Sequence, residues 1–434
     1  MFILMVYDYL IVGSGISGLN LSLKLSKKFK NASILVIDSS DNYGGRIHTV
    51  YEKDYSYEAG AARFNKNHKN LIKYIKHYGL NKNIVKIPSS WNYVQVSNKN
   101  IESQFKDVNK LLDFLIKKFN NPNSKTKDYL RSKNLYEVCV DVLGKTEGDF
   151  LAMRHPYYSE LHILNAYDAL MEFKSDLNEN LQFYVLGGGL SQITKSMHNE
   201  CKQNGCEFKL RTRFVNSKYD EINKILKNTC IDQDFNKFVI ESKNVILCVD
   251  GKAFKKFNLS NFDKYMLKSK QNFTMKDLQN SISVQPLLRT YAKYRKGKSA
   301  WTKNLSKIST DDKIKFIIPI TDNVVMISYT DGKYAKYWHN KSMNSTQLEE
   351  LNKSLNKIFP DTQISETPIY LRNYYWEQGA SYWEKNINSD LFSEIISKPT
   401  KLNLYICGDS FSHRQAWIEG ALESSNNVFK MIIN

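Results

Sequence analysis

Cysteine is sparse and unpatterned in this 434-residue chain. The six cysteines are Cys139, Cys201, Cys206, Cys230, Cys248 and Cys407. None forms a CxxC pair or lies near histidine at zinc-ligand spacing, which argues against both a metal site and a disulfide framework. A reducing compartment fits that usage, and Cys248 and Cys407, in apolar strand-like runs, read as small core residues. Also missing is any run of about 18 apolar residues, so no membrane-spanning helix is expected. Met1–Val6 is apolar but lacks a basic flank and leads straight into the first strand, so it does not read as a signal peptide. Nothing after the closing segment reads as an anchor. A soluble, intracellular protein is the expectation. Arginine is scarce as well, supplying ten of the 62 basic residues. The lysines give a net charge of +18, yet they are spread along the chain rather than gathered in one run. That pattern reads as a solvated basic surface and not a nucleic-acid site, with an anionic partner as the alternative. Repeats and low-complexity linkers are absent too.

What is present is a globular composition, 42% hydrophobic and 13% aromatic, in a chain long enough for two domains. Tyr9–Val12 reads as a buried strand, Ile16–Phe29 as a helix and Ile34–Ile37 as a second strand, the spacing of a Rossmann unit. Leu71, Ile72, Ile75 and Tyr78 recur at helical spacing, with Gly79 as the stop. Phe105 to Phe119 marks another amphipathic helix, and residues 128–182 look mostly helical, without a catalytic signature. Gly187-Gly188-Gly189 opens a helix that runs to about Gln203. Three short strands are expected near 206–219, 229–240 and 244–249. Residues 282–294, 314–320 and 324–330 alternate like strands of a second sheet. A helix over Ser345–Ile358 and a final strand at Leu404–Cys407 complete the reading.

Two glycine-centred segments, one near each end, carry the chemistry. In Tyr9–Leu19, Gly13 permits a tight turn, Gly15 allows a pyrophosphate to approach the backbone, and Gly18 lets helix pack on strand. The helix N-terminus, at Ser17, offers free N–H groups to that phosphate. Asp38 follows at the end of the second strand, placed to accept hydrogen bonds from an adenosine ribose. Gly44-Gly45-Arg46 then adds a second glycine turn, with Arg46 available for a charge-assisted contact to pyrophosphate. Nicotinamide enzymes have no need of that turn, so the cofactor expected is FAD. The other end reads Leu404–Leu422 and contains Asp409 and the run Gln415-Ala416-Trp417-Ile418-Glu419-Gly420. Taken alone, Asp409 reads equally as a turn cap and Trp417 as core packing.

Together these residues resemble the flavin-containing amine oxidases, a family that includes monoamine, polyamine and L-amino-acid oxidases. The resemblance covers residues 8–68, 183–210, 237–254 and 369–429, and the Lys/Asn-rich style is similar to amine-oxidase-like chains of large DNA viruses. It implies that Asp409 holds a ribityl hydroxyl, although the family more often has Glu there. It implies that Gly45, Gly60, Ala61, Trp417 and Ile418 join the cofactor set, and that the last helix points its N-terminus at the flavin ring. Members with covalent flavin carry a cysteine where this chain has Gln378-Gly379-Ala380-Ser381-Tyr382, so non-covalent FAD is expected. The resemblance matches Tyr382 and Trp417 to the two rings that guide an amine toward flavin N5. It matches Arg63, in Glu58–Phe64, to the residue that grips a substrate carboxylate. An aromatic core cluster and a structural arginine are the alternatives, and His68 reads as a helix-start residue rather than a base.

One departure stands out. Where many members keep a lysine beside flavin N5, the nearest match here is Arg289, which cannot give up its proton. The change at Val249-Asp250-Gly251, where the family usually has proline, is minor. The expected architecture is α/β: a discontinuous Rossmann-like FAD domain, a parallel sheet with a β-meander, over 1–70, 183–255 and 395–434. An α+β substrate domain with a mixed sheet supplies a helical part, 71–182, and a sheet part, 256–394. The expected reaction is oxidation of the C–N bond of a small-molecule amine or L-amino acid, with dioxygen as acceptor and hydrogen peroxide as product. The alternatives are a flavin desaturase or protoporphyrinogen-oxidase-like enzyme acting on a carbon skeleton, and a flavin-binding protein without turnover.

Overall fold

A computed structural model describes residues 5–177, 181–267, 272–297 and 300–434; Met1–Leu4 of the apolar start lie outside them. The chain divides into two compact units, one of residues 1–85, 184–283 and 388–434, the other of 86–183 and 284–387. Residues 71–85, 256–283 and 388–394, assigned from sequence to the substrate domain, fall in the first unit. For 256–283 the reason is local packing: Gln279 Nε2 donates to the carbonyls of Phe254 and Phe257 at 2.7 and 2.8 Å, and Phe262 and Leu278 are fully buried there.

The first unit is built on a seven-stranded sheet. Its order is Arg213–Asp220, Ile225–Ile231, Lys237–Leu247, Val6–Val12, Ile34–Ile37, Glu207–Lys209, with Leu404–Ile406 also paired to Lys237–Leu247. Val6–Val12 runs parallel to both neighbours, with Ile11 opposite Ile246 on one side and Val36 on the other. Leu10, Ile11, Val36, Ile246 and Leu247 are fully buried, which is why these strands are continuous apolar runs rather than alternating ones. The strands from 213 to 247 form an antiparallel meander. Sequence reading broke 229–249 at its polar stretch into two strands, but Lys237–Leu247 is one strand of 11 residues. Ser242 is buried there and accepts from Asn228 Nδ2 at 3.0 Å, so the polar break is absorbed inside the sheet. The helices Ile16–Lys28 and Ile418–Ile433 are tied by Ser17 Oγ to the Ala421 carbonyl at 3.0 Å and by Asn20 Nδ2 to Ser425 Oγ at 2.7 Å. The two ends of the sequence therefore meet within one unit.

The second unit holds a six-stranded mixed sheet ordered Tyr370–Trp383, Ile282–Lys293, Val324–Asp331, Phe316–Thr321, Ile308–Thr310, Asn92–Val94. Side chains alternate across it. Leu288 and Ala292 face Trp338, Leu351 and Leu355 of the helices Gly332–Met343 and Gln347–Ile358. Leu287, Ala380 and Tyr382 face a helical layer between Val108 and Ser175, whose core includes Leu111, Leu135, Cys139, Leu151 and Leu161. Asparagine begins several of these helices, and Asn134 forms a full capping box with Glu137. The helix Gly332–Met343 escaped sequence reading because its lysines, tyrosines and histidine lack a clean apolar stripe. No helix among the described residues is long and apolar enough to cross a membrane.

Candidate active site

The glycines of the first turn are required for different reasons. Gly13 has φ +106°, and a Cβ there would collide with the Cys248 carbonyl oxygen. A Cβ on Gly18 would collide with the carbonyl oxygen of Gly13, so helix and strand approach only without it. At Gly15 the added atom would meet nothing within 4 Å. Gly15 is the N-cap of Ile16–Lys28, and no acidic residue stands in that helix's first turn. The space kept clear at Gly15 is therefore a helix N-terminus open to an anion, which fits a dinucleotide pyrophosphate.

Asp38 follows the second strand, half-buried. One of its oxygens accepts from Ser14 N and Oγ at 2.7 and 2.9 Å, the other from Ser40 N and Oγ at 2.9 Å each. Its carboxylate is thus held at the mouth of the glycine turn. The second glycine turn leans on the first: Gly44 N donates to the Ser14 carbonyl at 2.9 Å, and a Cβ on Gly45 would lie 3.3 Å from Gly15 Cα. Arg46 follows, with Nη2 paired to Asp409 Oδ1. Burial opposes the Arg46 charge, but Asp409 and Asp250 outweigh it and push the guanidinium further above its ordinary value. Asp250 also caps the helix Gly251–Lys256 by accepting from Lys252 N and Ala253 N at 2.8 and 2.9 Å. The Arg46 carbonyl accepts from Ala61 N at 2.9 Å, and a side chain at Gly60 would strike it. Gly13, Gly15, Ser17, Gly18, Asp38, Gly45, Arg46, Gly60, Ala61 and Asp409 are accordingly linked in one region of the first unit.

Trp417, half-buried, is the N-cap of the last helix and Ile418 its first residue. The guanidinium of Arg63 stands 5.7 Å from the Trp417 ring centroid, and the His68 ring meets it edge-on at 5.0 Å. His68 also begins the helix Lys69–His77. Sequence reading passed over Glu419. It is 1% exposed and accepts from Asn70 N, Asn70 Nδ2 and Leu71 N at 2.9, 2.8 and 3.0 Å. It thereby caps the helix that follows His68 and fixes the segment bearing Arg63 and His68 to the helix that begins beside Trp417. A lone Glu inside the closing motif carries no sequence signal for that task.

The remaining predicted residues lie in the second unit. Arg289 is buried on Ile282–Lys293, its guanidinium 4.8 Å from the Tyr329 ring centroid. Tyr382 is 1% exposed and donates its hydroxyl to Glu160 Oε1 at 3.0 Å. Gly379 packs against Leu287 and Ala380 against the helical layer. All six cysteines are buried, and Cys248 and Cys407 touch, sulfur to sulfur, at 3.3 Å in the first unit's sheet. No cluster of three or more His, Cys, Asp or Glu suited to a metal occurs among the described residues.

Comparison with known proteins gives the family and the fold. The family model "Flavin containing amine oxidoreductase" matches residues 16–428. An L-amino-acid oxidase of Sistrurus catenatus edwardsii is 25% identical over 223 residues, 44% of this chain and 42% of the snake protein, so the match spans less than half of that relative's length. The uncharacterized protein R188 of Acanthamoeba polyphaga mimivirus is 22% identical over 97% of this chain and 92% of its own. Among solved structures, wild-type putrescine oxidase bound to putrescine superposes with a TM-score of 0.74 over 99% of both chains at 15% identity, a likeness of fold.

Proposed function

Because the chain belongs to the flavin-containing amine oxidoreductase family, with FAD as its cofactor, we propose that it oxidises the C–N bond of a primary amine or an L-amino acid. The observation that carries this reading is the Arg63–Trp417–His68 group, built on the same unit as the FAD cradle.

When bound, the flavin supplies the two-electron oxidation that converts an amine to an imine. The rest falls to the chain's own residues. The clear space at Gly15 and the open helix N-terminus bind the pyrophosphate, Asp38 the adenosine ribose, and Arg46 with Asp409 the middle of the cofactor. Cysteine is absent from Gln378–Tyr382, and attachment is non-covalent. Arg63 clamps the substrate carboxylate through its planar, permanently charged guanidinium. Trp417 presents an electron-rich ring to the amine nitrogen, and the ring's own contacts with Arg63 and His68 hold it in one orientation. Tyr382, 1% exposed, packs instead in the helical core of the second unit. Water adds to the released imine to give a carbonyl compound and ammonia, and dioxygen leaves as hydrogen peroxide. Arg289 holds its proton throughout, so it acts as a fixed positive charge and not as a base. That fixed charge is also the observation that favours a second reading, oxidation of a carbon skeleton.

Anaerobic mixing of the FAD-loaded protein with L-amino acids, with monoamines and with diamines tests the proposal. Bleaching of the yellow flavin by one of these classes is expected. A flavin that none of them bleaches refutes the amine reading.

A further inference from the structure

We propose that Glu419 is a positioning residue that sets the angle of the Trp417 ring by holding His68 against it. This rests on the reading of Trp417 as the ring that faces the amine. All the groups involved belong to the first unit.

The chain reaches Trp417 through a strained residue. Ala416 has φ +61°, left-handed backbone that is uncommon outside glycine. It turns the chain just before the helix Ile418–Ile433, and Trp417, the N-cap, is extended at φ −116° and ψ 144°. Upstream, Arg414 N donates to Ser412 Oγ at 3.1 Å, and Gln415 Nε2 donates to the Ser410 carbonyl at 2.7 Å. A Cβ on Gly420 would collide with the Arg414 carbonyl oxygen, so the turn also presses on the first turn of its own helix. These contacts fix the Trp417 backbone. Backbone contacts alone do not choose among the rotamers of the indole.

His68 makes that choice. Its fully buried ring meets the Trp417 ring with the planes 69° apart, the edge-to-face arrangement that aromatic rings favour. Two anchors bracket His68. On one side His68 N donates to the Asn65 carbonyl at 3.1 Å, and Asn67 N to Asn65 Oδ1 at 2.8 Å. On the other side Asn70 and Leu71 deliver three N–H donors to the Glu419 carboxylate. His68 itself makes no side-chain cap to the helix Lys69–His77, so Glu419 supplies the acceptor that this helix start requires. Trp417 and Glu419 are two residues apart on one segment, and His68 and Asn70 two apart on the other. The four close a ring of contacts, with carboxylate on N–H at one corner and ring on ring at the other. Pairing of the two helices does not depend on Glu419 alone. Leu71 and Ile75 pack with Ile418, Ala421 and Leu422, and Asn426 Nδ2 donates to Asn70 Oδ1 at 3.0 Å. Loss of the carboxylate therefore leaves the helices together and releases the register of His68 on Trp417. Arg63 stands over the same indole, so a turned ring also changes what Arg63 faces.

The test uses the FAD-loaded protein, with L-phenylalanine, phenethylamine and putrescine as probes and anaerobic flavin bleaching per bound flavin as the readout. Glu419→Gln keeps the shape but turns an amide N–H₂ toward a backbone N–H. It should slow bleaching about tenfold with every probe that bleaches wild type, because a misaligned ring loses orientation of the reacting carbon. Glu419→Asp, one methylene short, should be slowed alike, which preserves the test if Glu419→Gln fails to fold. His68→Leu should also be slowed, and the double variant Glu419→Gln/His68→Leu should be no slower than His68→Leu, since Glu419 acts through His68. A merely structural role would lower the melting temperature without changing the rate per bound flavin. Hydrogen exchange of the flavin-free protein reads the tie without substrate: in Glu419→Gln, amides of residues 65–71 should exchange about tenfold faster and those of 422–433 as in wild type. Full-rate bleaching by Glu419→Gln, losses that multiply in the double variant, or unchanged exchange over 65–71 overturns the role of Glu419. If Trp417→Ala bleaches as fast as wild type, the reading of Trp417 itself is wrong and the role of Glu419 falls with it. If no probe bleaches wild type, the amine reading fails and takes this role with it.

Discussion

Replacing Gly15 with alanine separates cofactor binding from folding, because the added Cβ meets no protein atom within 4 Å. Gly15 has φ −66° and ψ 177°, extended backbone that alanine adopts freely. Two small terms act on the flavin-free fold. Loss of chain entropy in the unfolded state favours alanine by about 0.4–1 kcal/mol, and alanine is a poorer N-cap than glycine by a similar amount. They oppose each other, and the net change in stability should stay within about 1 kcal/mol. The holoprotein is different, because the methyl enters the space where the pyrophosphate approaches the backbone. Overpacking of that kind costs about 1–3 kcal/mol, which weakens FAD binding about 5- to 150-fold. Circular dichroism melts of the flavin-free variant should overlay wild type, while titration followed by quenching of flavin fluorescence should show the weaker Kd. Gly18→Ala is the contrast, since its Cβ collides with the Gly13 carbonyl, and it should fail at folding. If Gly15→Ala bound FAD as tightly as wild type, the pyrophosphate could not lie at this turn.

Arg63→Ala should raise KM for L-amino acids about 100-fold, the loss expected of a charge-assisted carboxylate contact, and spare simple amines; equal loss for both would leave Arg63 a structural role. Acid precipitation should release all flavin into the supernatant, read by absorbance, and flavin that stays with the pellet would contradict non-covalent attachment. Burial pushes His155 down to about 3 and His162 down to about 4. Between those values and the ordinary pKa of about 6.5 the unfolded chain binds more protons than the native one, so stability rises with pH through that window and falls as the pH is lowered. His155→Phe should make the fall shallower by about 1.4 kcal/mol per pH unit between about pH 6 and pH 4 in denaturant melts, and an unchanged slope would mean that His155 is not neutral when folded.

Much of the cofactor region could be read in the sequence because its requirements are local. A left-handed turn at Gly13, an apolar run at Leu10–Val12 buried on both sides, and an acid at the end of the next strand each depend on a few neighbouring residues. The substrate side was less legible. Arg289 and Tyr382 stand in strands whose alternation shows which residues share a face, but not what meets that face. The helical layer from Val108 to Ser175 offered only a hydrophobic period and asparagine caps, and Glu160 looks there like any exposed glutamate of a short helix.

By itself, then, the sequence determined the glycine turns, the strand–helix–strand unit and the class of cofactor, since backbone conformation and apolar periodicity are written within a few residues. Only the tertiary structure decided which distant charges meet. Arg46 finds Asp409 across 363 residues, Glu419 caps a helix that begins near residue 69, and the carboxyl of Glu160 receives the hydroxyl of Tyr382. Partners of that kind are chosen by side-chain direction and burial, which exist only once the chain has folded back on itself.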